Sequence, residues 1–188
     1  KMKSIFFFLK ILNSRWNFNK PSQKDILIFD GFYNPFKNLF KKKSYNIFFS
    51  RLEEINIYVL IECLKKNKSL NFQSYVKNFI KISKPKIIIT GIDNSLKFLK
   101  LSSTTKVPLI SVQNGYRTKV GDLTSNINQS KKLGHKFFVD EMFVYNTRVA
   151  KDYNSFINGK KTIIGSYKNN NNKKSKLEFS KKKGMLFV

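Results

Sequence analysis

Two stretches end in groups that could bind or react. Lys84–Asn94 (KPKIIITGIDN) runs from isoleucines into Thr90, Gly91, Ile92, Asp93 and Asn94. Pro108–Arg117 (PLISVQNGYR) runs from an apolar segment into Gln113, Asn114, Gly115, Tyr116 and Arg117. Amides and carboxylates offer directional contacts to hydroxyl-rich ligands, and Arg117 offers a planar fork for phosphate or carboxylate. Gly91 and Gly115 would allow sharp turns and close ligand approach. Asp30, closing DILIFDG, has the same position relative to its own apolar run. Each cluster also has a plainer reading, since Asp-Asn-Ser caps helices and Asn-Gly makes turns. Two such clusters on neighbouring runs, with an arginine, bring the chemical reading level with the structural one. The sequence holds no GxGxxG, Walker loop, HExxH or nucleophile elbow. No carboxylate pair stands at metal-ligand spacing, so no metal is implied. His135 reads as a loop or surface histidine and Cys63 as core.

The elements that would position these groups follow from periodicity. Strands are expected at 25–31, 44–50, 86–90, 107–112, 141–145 and 161–164. Helical spacing marks 55–66, 72–82, 94–101 and 148–157, with Asp93, Asn94 or Ser95 capping the third. Pro85 closes the second helix. The stretch 119–132 is polar, without a strong period, and reads as loop. The alternation specifies an α/β class, with a Rossmann-like parallel sheet and helices on both faces. In such sheets ligands bind at the carboxyl ends of strands, where all the candidate residues fall.

Four segments are expected: an apolar, helical segment over 1–24, a Rossmann-like domain over 25–167, a Lys/Asn-rich linker over 168–183 and a strand over 184–188. That last strand, GMLFV, reads as the opening of a second domain that the chain leaves incomplete. With Lys1 ahead of Met2, the expectation is a fragment.

The formal charge of +26 is carried almost wholly by lysine, with arginine only at 15, 51, 117 and 148. The chain is also rich in Asn, Ile and Phe, residues written by A/T-rich codons, so base composition accounts for much of the excess. Scarce arginine leaves specific nucleic-acid recognition unsupported. A single cysteine excludes a disulfide framework and suggests a reducing compartment. No apolar run reaches the roughly 20 residues that span a bilayer. SIFFFLKIL lacks a cleavage site, which argues against a secretory signal. It either packs as a first helix or, with Lys10, Arg15 and Lys20, touches anionic lipid from the cytoplasmic side.

KPKIIITGIDNSLKFLKL, PLISVQNGYR and TIIGSYKNN, in this order and spacing, resemble the amino-terminal domain of a bacterial surface carbohydrate biosynthesis family. Those proteins resemble GT-B glycosyltransferases and, more distantly, CDP-glycerol glycerophosphotransferases and capsule polymerases. The resemblance, over 25–188, implies the amino-terminal half of a GT-B-type two-domain architecture. It implies transfer of a sugar or polyol phosphate from a nucleotide-activated donor, bound by the second domain, to a glycan or lipid-linked acceptor. The donor is a co-substrate, and no cofactor is implied. Gln113, Asn114, Asp93 and Asn94 would orient acceptor hydroxyls, with Thr90, Gly91, Gly115 and Tyr116 around them and Arg117 on an anionic group. Ser166 and Asn169 would reach the cleft at the interdomain crossing. The glycerophosphotransferase relatives usually carry a histidine base where this chain has Asn114, which cannot take a proton at neutral pH. Asp93 or Asp30 would then supply the base, Asp93 being favoured, or this domain supplies none. The rival expectations are a sugar-nucleotide epimerase of the same architecture and a basic module binding nucleic acid or anionic membrane. The expected place is the cytoplasm, at the inner membrane face.

Overall fold

The computed structural model describes residues 12–31, 35–36, 39–40, 44–66, 71–116 and 122–167. The apolar runs become short strands: β1 (Arg15–Asn17), β2 (Ile26–Phe29), β3 (Tyr45–Phe48), β4 (Glu54–Asn56), β5 (Ile87–Thr90), β6 (Leu109–Val112), β7 (Phe137–Val144) and β8 (Ile157–Ile163). The helices are α1 (Ile57–Lys66), α2 (Phe72–Ser83), α3 (Leu96–Leu99, continued by a 3₁₀ turn to Ser103), α4 (Asp122–Lys132) and α5 (Thr147–Asn154). Local chemistry sets their ends. Asn71 and Asn146 accept from the backbone N–H of Ser74 and Val149 at 2.9 and 3.0 Å. Ser95, among the three expected caps, is the one that caps α3. Lys84 ends α2 in the left-handed region before Pro85.

Six strands form one sheet in the order β3-β2-β5-β6-β7-β8, and every pairing is parallel. This is the α/β, Rossmann-like sheet that the alternation specifies. From β5 onward the chain steps steadily toward β8, while the β2-to-β3 connection steps the other way. Right-handed crossovers must therefore put the first set of connections on one face and the β2–β3 connection on the other. The cores agree. On one face Leu27, Phe29, Ile88 and Leu109 pack with Val59 of α1, Val76 of α2, Phe98 of α3, Leu123 of α4 and Tyr153 of α5. On the opposite face Ile28, Ile89 and Val112 are covered by Phe36, Phe40 and Tyr167. Strand period two explains the division, since Leu27 and Phe29 face the helices and Ile28 faces away. Each large apolar side chain fully buried in this way contributes about 1.5–3 kcal/mol.

Several elements depart from the sequence expectation. The stretch expected as loop is helix α4, whose inner face carries buried Asn126 and Ser130 beside Leu123 and Ile127. Half of that stripe is polar, so an apolar period cannot reveal it. The strand expected from 141 starts at Phe137, and Ile157, expected in a helix, opens β8. Ile55 belongs to β4, which pairs with β1 in a separate two-stranded sheet. Three-residue strands are too short to show alternation. The Lys/Asn-rich linker, the 184–188 strand and the SIFFFLKI run lie outside the described residues. Among the described residues, no helix is long and apolar enough to cross a membrane.

Candidate functional site

The strand order reverses between β2 and β5, so the crevice expected to take a ligand lies beyond Phe29 and Thr90. Asp30 stands there. Its φ of 65° is left-handed, a conformation that Asp tolerates better than most residues. It is only 5% exposed, and among the described residues its Oδ2 has no hydrogen-bond partner. Burial pushes its pKa up from 3.8 to about 6, against opposing pulls from a Ser95 side-chain hydrogen bond, Lys97 and Arg51. Glu53 adds a smaller upward push, and its Oε2 is likewise buried without a partner among the described residues. Lys97 is held by donating to the Ser50 carbonyl and lies 4.6 Å from the centre of the Phe72 ring. The carboxyl ends of β2, β3 and β5 thus gather two under-solvated carboxylates and two cations around one position. Strained backbone and a carboxylate poised near neutrality are features that cluster at working sites.

The second cluster is built differently. Asp93 is 1% exposed; its Oδ1 accepts the Asn114 N–H at 3.1 Å and its Oδ2 accepts the Tyr153 hydroxyl. Gln113, also 1% exposed, donates to the Gly115 carbonyl and accepts the Tyr145 N–H, both at 2.8 Å. The Tyr145 hydroxyl donates to the Asn114 carbonyl at 2.9 Å. A run of buried strand ends in Gln-Asn-Gly because these groups fasten the ends of β5, β6 and β7 to α5. Thr90 serves locally, its Oγ1 accepting the Ile92 N–H at 3.1 Å. Asn94 offers its carbonyl to Asn126 of α4. The Oδ1 of Asn114 is buried with no partner among the described residues.

The structure brings Asp93, Gln113 and Asn114 into one network, and Asp30 into another with Ser95. At Gly91 the close approach is made by the chain itself, because an added Cβ would lie 2.4 Å from Pro35 Cγ. Around Gly115 a Cβ would meet nothing among the described residues within 4 Å, and Tyr116 is 70% exposed. Half-buried Ser166 precedes Tyr167, whose ring stacks on Phe36 at 6.5 Å, on the sheet face away from the helices. Arg117 and Asn169 lie outside the described residues. Sequence reasoning missed Arg51, Glu53, Lys97, Tyr145 and Tyr153 as parts of these networks. The first two directly follow β3, so the same strand-end rule could have found them. Two surface cavities of about 430 and 400 Å³ lie elsewhere, one beside α2 and one between β1 and β3, and neither includes Asp30 or Asp93.

Residues 110–188 match a family model described as "putative O-antigen biosynthesis protein". No curated protein and no solved structure matches the chain. The matched part takes in Gln113, Asn114, Tyr145, Tyr153 and Ser166, whereas Asp30 and Asp93 precede it. At a coarse level this similarity supports a part in surface carbohydrate biosynthesis. Chemically, the rim combines an anionic oxygen able to accept a proton with amide groups suited to hydroxyls, on a parallel sheet of the kind that binds polar ligands at this end.

Proposed function

We propose that this chain is the amino-terminal, acceptor-side domain of a GT-B-like transferase of surface polysaccharide synthesis, working in the cytoplasm at the inner membrane face. The observation that carries the reading is Asp30, a buried carboxylate with one oxygen that has no partner among the described residues and a pKa of about 6, at the switch point of the sheet. A base of that strength is mostly ionised at neutral pH and can accept a proton during attack. An acceptor hydroxyl would lose its proton to Asp30 Oδ2 as its oxygen bonds to the anomeric carbon or phosphorus of the activated donor. The bond from that centre to the nucleotide phosphate breaks, and the nucleotide leaves with the electron pair. The donor itself would sit on a second domain beyond this chain. Asn114 Oδ1 would accept from a second acceptor hydroxyl. Asp93 serves here as a positioning residue for Asn114, because its two oxygens already take hydrogen bonds from Asn114 and Tyr153.

The test is Asp30→Asn in the complete transferase, assayed with a nucleotide-activated sugar and a lipid-linked or soluble glycan. A fall in turnover of about 10²–10⁴-fold, with unchanged folding, is expected. Turnover within a few-fold of the parent would remove Asp30 from the mechanism. The closeness of Asp30 and Glu53 favours one second reading, a sugar-nucleotide epimerase with paired acid and base. Donor epimerisation in the absence of any acceptor would support it instead.

A further inference from the structure

Leu12, Trp16 and Phe18 leave 55%, 47% and 68% of their surface to solvent. Scattered apolar residues of this kind are ordinary on a protein surface, but these are grouped and held. The Trp16 and Phe18 rings meet edge to face with centroids 6.4 Å apart. Strand alternation separates them from their charged neighbour. Arg15 Nε and Asn17 Nδ2 donate to the Glu54 carboxylate at 2.9 and 3.0 Å, on the side of β1 opposite Trp16. The strand is fixed to the body of the domain by pairing with β4 and by the Arg15 N–H bond to the Glu53 carbonyl at 3.0 Å.

We propose that residues 12–18 form a docking surface for an anionic lipid bilayer. Charge selects this partner. Glu54, the acid beside the patch, is matched by Arg15, and Lys20 lies 5.7 Å above the Tyr58 ring of α1. A second copy of a chain carrying a formal charge of +26 would be repelled, whereas anionic lipid is attracted. Trp, with an apolar body and one N–H donor, favours the boundary between head groups and acyl chains. The same strand is tied at Ser14 and Arg15 to Leu52 and Glu53, inside the loop that brings Arg51 and Glu53 toward Asp30. Docking would hold the strand-end rim close to the bilayer surface. That last consequence rests on the transferase reading, while the docking itself does not.

Trp16 is the single tryptophan of the chain, so its emission reports on this surface alone. The full chain is titrated with phosphatidylglycerol/phosphatidylcholine vesicles and with pure phosphatidylcholine vesicles at near-physiological salt. A blue shift and protection from acrylamide are expected on the anionic vesicles only. Leu12→Ser and Phe18→Ser, both at exposed positions, are each expected to weaken partitioning in sedimentation by about tenfold. The proposal is overturned by absence of binding, or by sedimentation with unchanged emission, which means adsorption by charge alone. Emission already blue without vesicles and unmoved by them also overturns it, since protein then covers the patch. None of these outcomes depends on the turnover of Asp30→Asn, so the two readings fail separately.

Discussion

Tyr153 of α5 donates its hydroxyl to the buried carboxylate of Asp93, joining residues 60 positions apart at the centre of the strand-end network. The bond anchors the last described helix to the turn after β5, and through Asp93 Oδ1 to the backbone of Asn114. Tyr153→Phe removes one donor from a carboxylate with almost no access to water. We expect a loss of about 1–3 kcal/mol in unfolding free energy, read by urea titration. Asp93→Asn should cost a similar amount, and the double variant less than the sum, because both changes break one contact. If Asp93→Asn unfolds like the parent yet abolishes turnover in the complete transferase, Asp93 is the base and the assignment to Asp30 falls.

Asp30 should cost the fold stability at neutral pH. Its folded pKa of about 6 exceeds its ordinary 3.8, so the folded state binds the proton more tightly. Stability from this group is therefore greatest in acid and declines as pH rises between these two values, then levels off. The size is about 3 kcal/mol, and Asp30→Asn should recover it, since Asn is neutral and also tolerates positive φ. Denaturant unfolding from pH 4 to 7 checks this: the variant should gain on the parent as pH rises. A variant less stable than the parent at pH 7 contradicts the placement of an under-solvated carboxylate. In catalysis the sign reverses, because the base must be ionised, and turnover should climb through pH 6.

Gln113 acts as a clasp between β6 and β7, and its two side-chain bonds reach Gly115 and Tyr145. Gln113→Ala leaves the Tyr145 N–H without its acceptor, at a cost of about 1–3 kcal/mol. Gln113→Glu keeps the acceptor but loses the donor and buries a charge, and should be the worse of the two. Thermal melts of both variants order the effects. Equal melting temperatures would mean that water replaces the clasp.

How far the sequence discloses this molecule depends on the range of the interaction. Uninterrupted β-branched runs such as 87–89, bounded by Pro and Gly, suit central parallel strands, so the sheet was legible from these runs and their flanks. Helix α4 was not, because Asn126 and Ser130 occupy inward positions that an apolar count scores as exposed. Strand-end placement made Asp30, Asp93 and Gln113 visible as candidates. It could not distinguish a satisfied carboxylate from a strained one. That difference lies in Tyr153 for Asp93, and in Ser95, Arg51 and Glu53 for Asp30, contacts set by topology and not by neighbours in sequence.

Two glycines provide a paired test of the backbone. Gly159 has φ of 110°, and a Cβ there would lie 1.7 Å from the Val139 carbonyl oxygen, at the register shift between β7 and β8. The clash is with backbone, which cannot rotate away as a side chain could, and a positive φ adds strain. Gly159→Ala should therefore lose more than about 2 kcal/mol or fail to fold. Gly115, by contrast, would bring a Cβ within 4 Å of nothing among the described residues and has no positive φ. Gly115→Ala should leave the unfolding midpoint within about 0.5 kcal/mol of the parent. With the fold intact, any rise of acceptor KM in the complete transferase then reports crowding at the rim. An unchanged KM would place the acceptor away from Gly115 and on the Asp30 side of the crevice. Severe unfolding of Gly115→Ala would instead show that the turn after β6 is packed more tightly than its surroundings here imply.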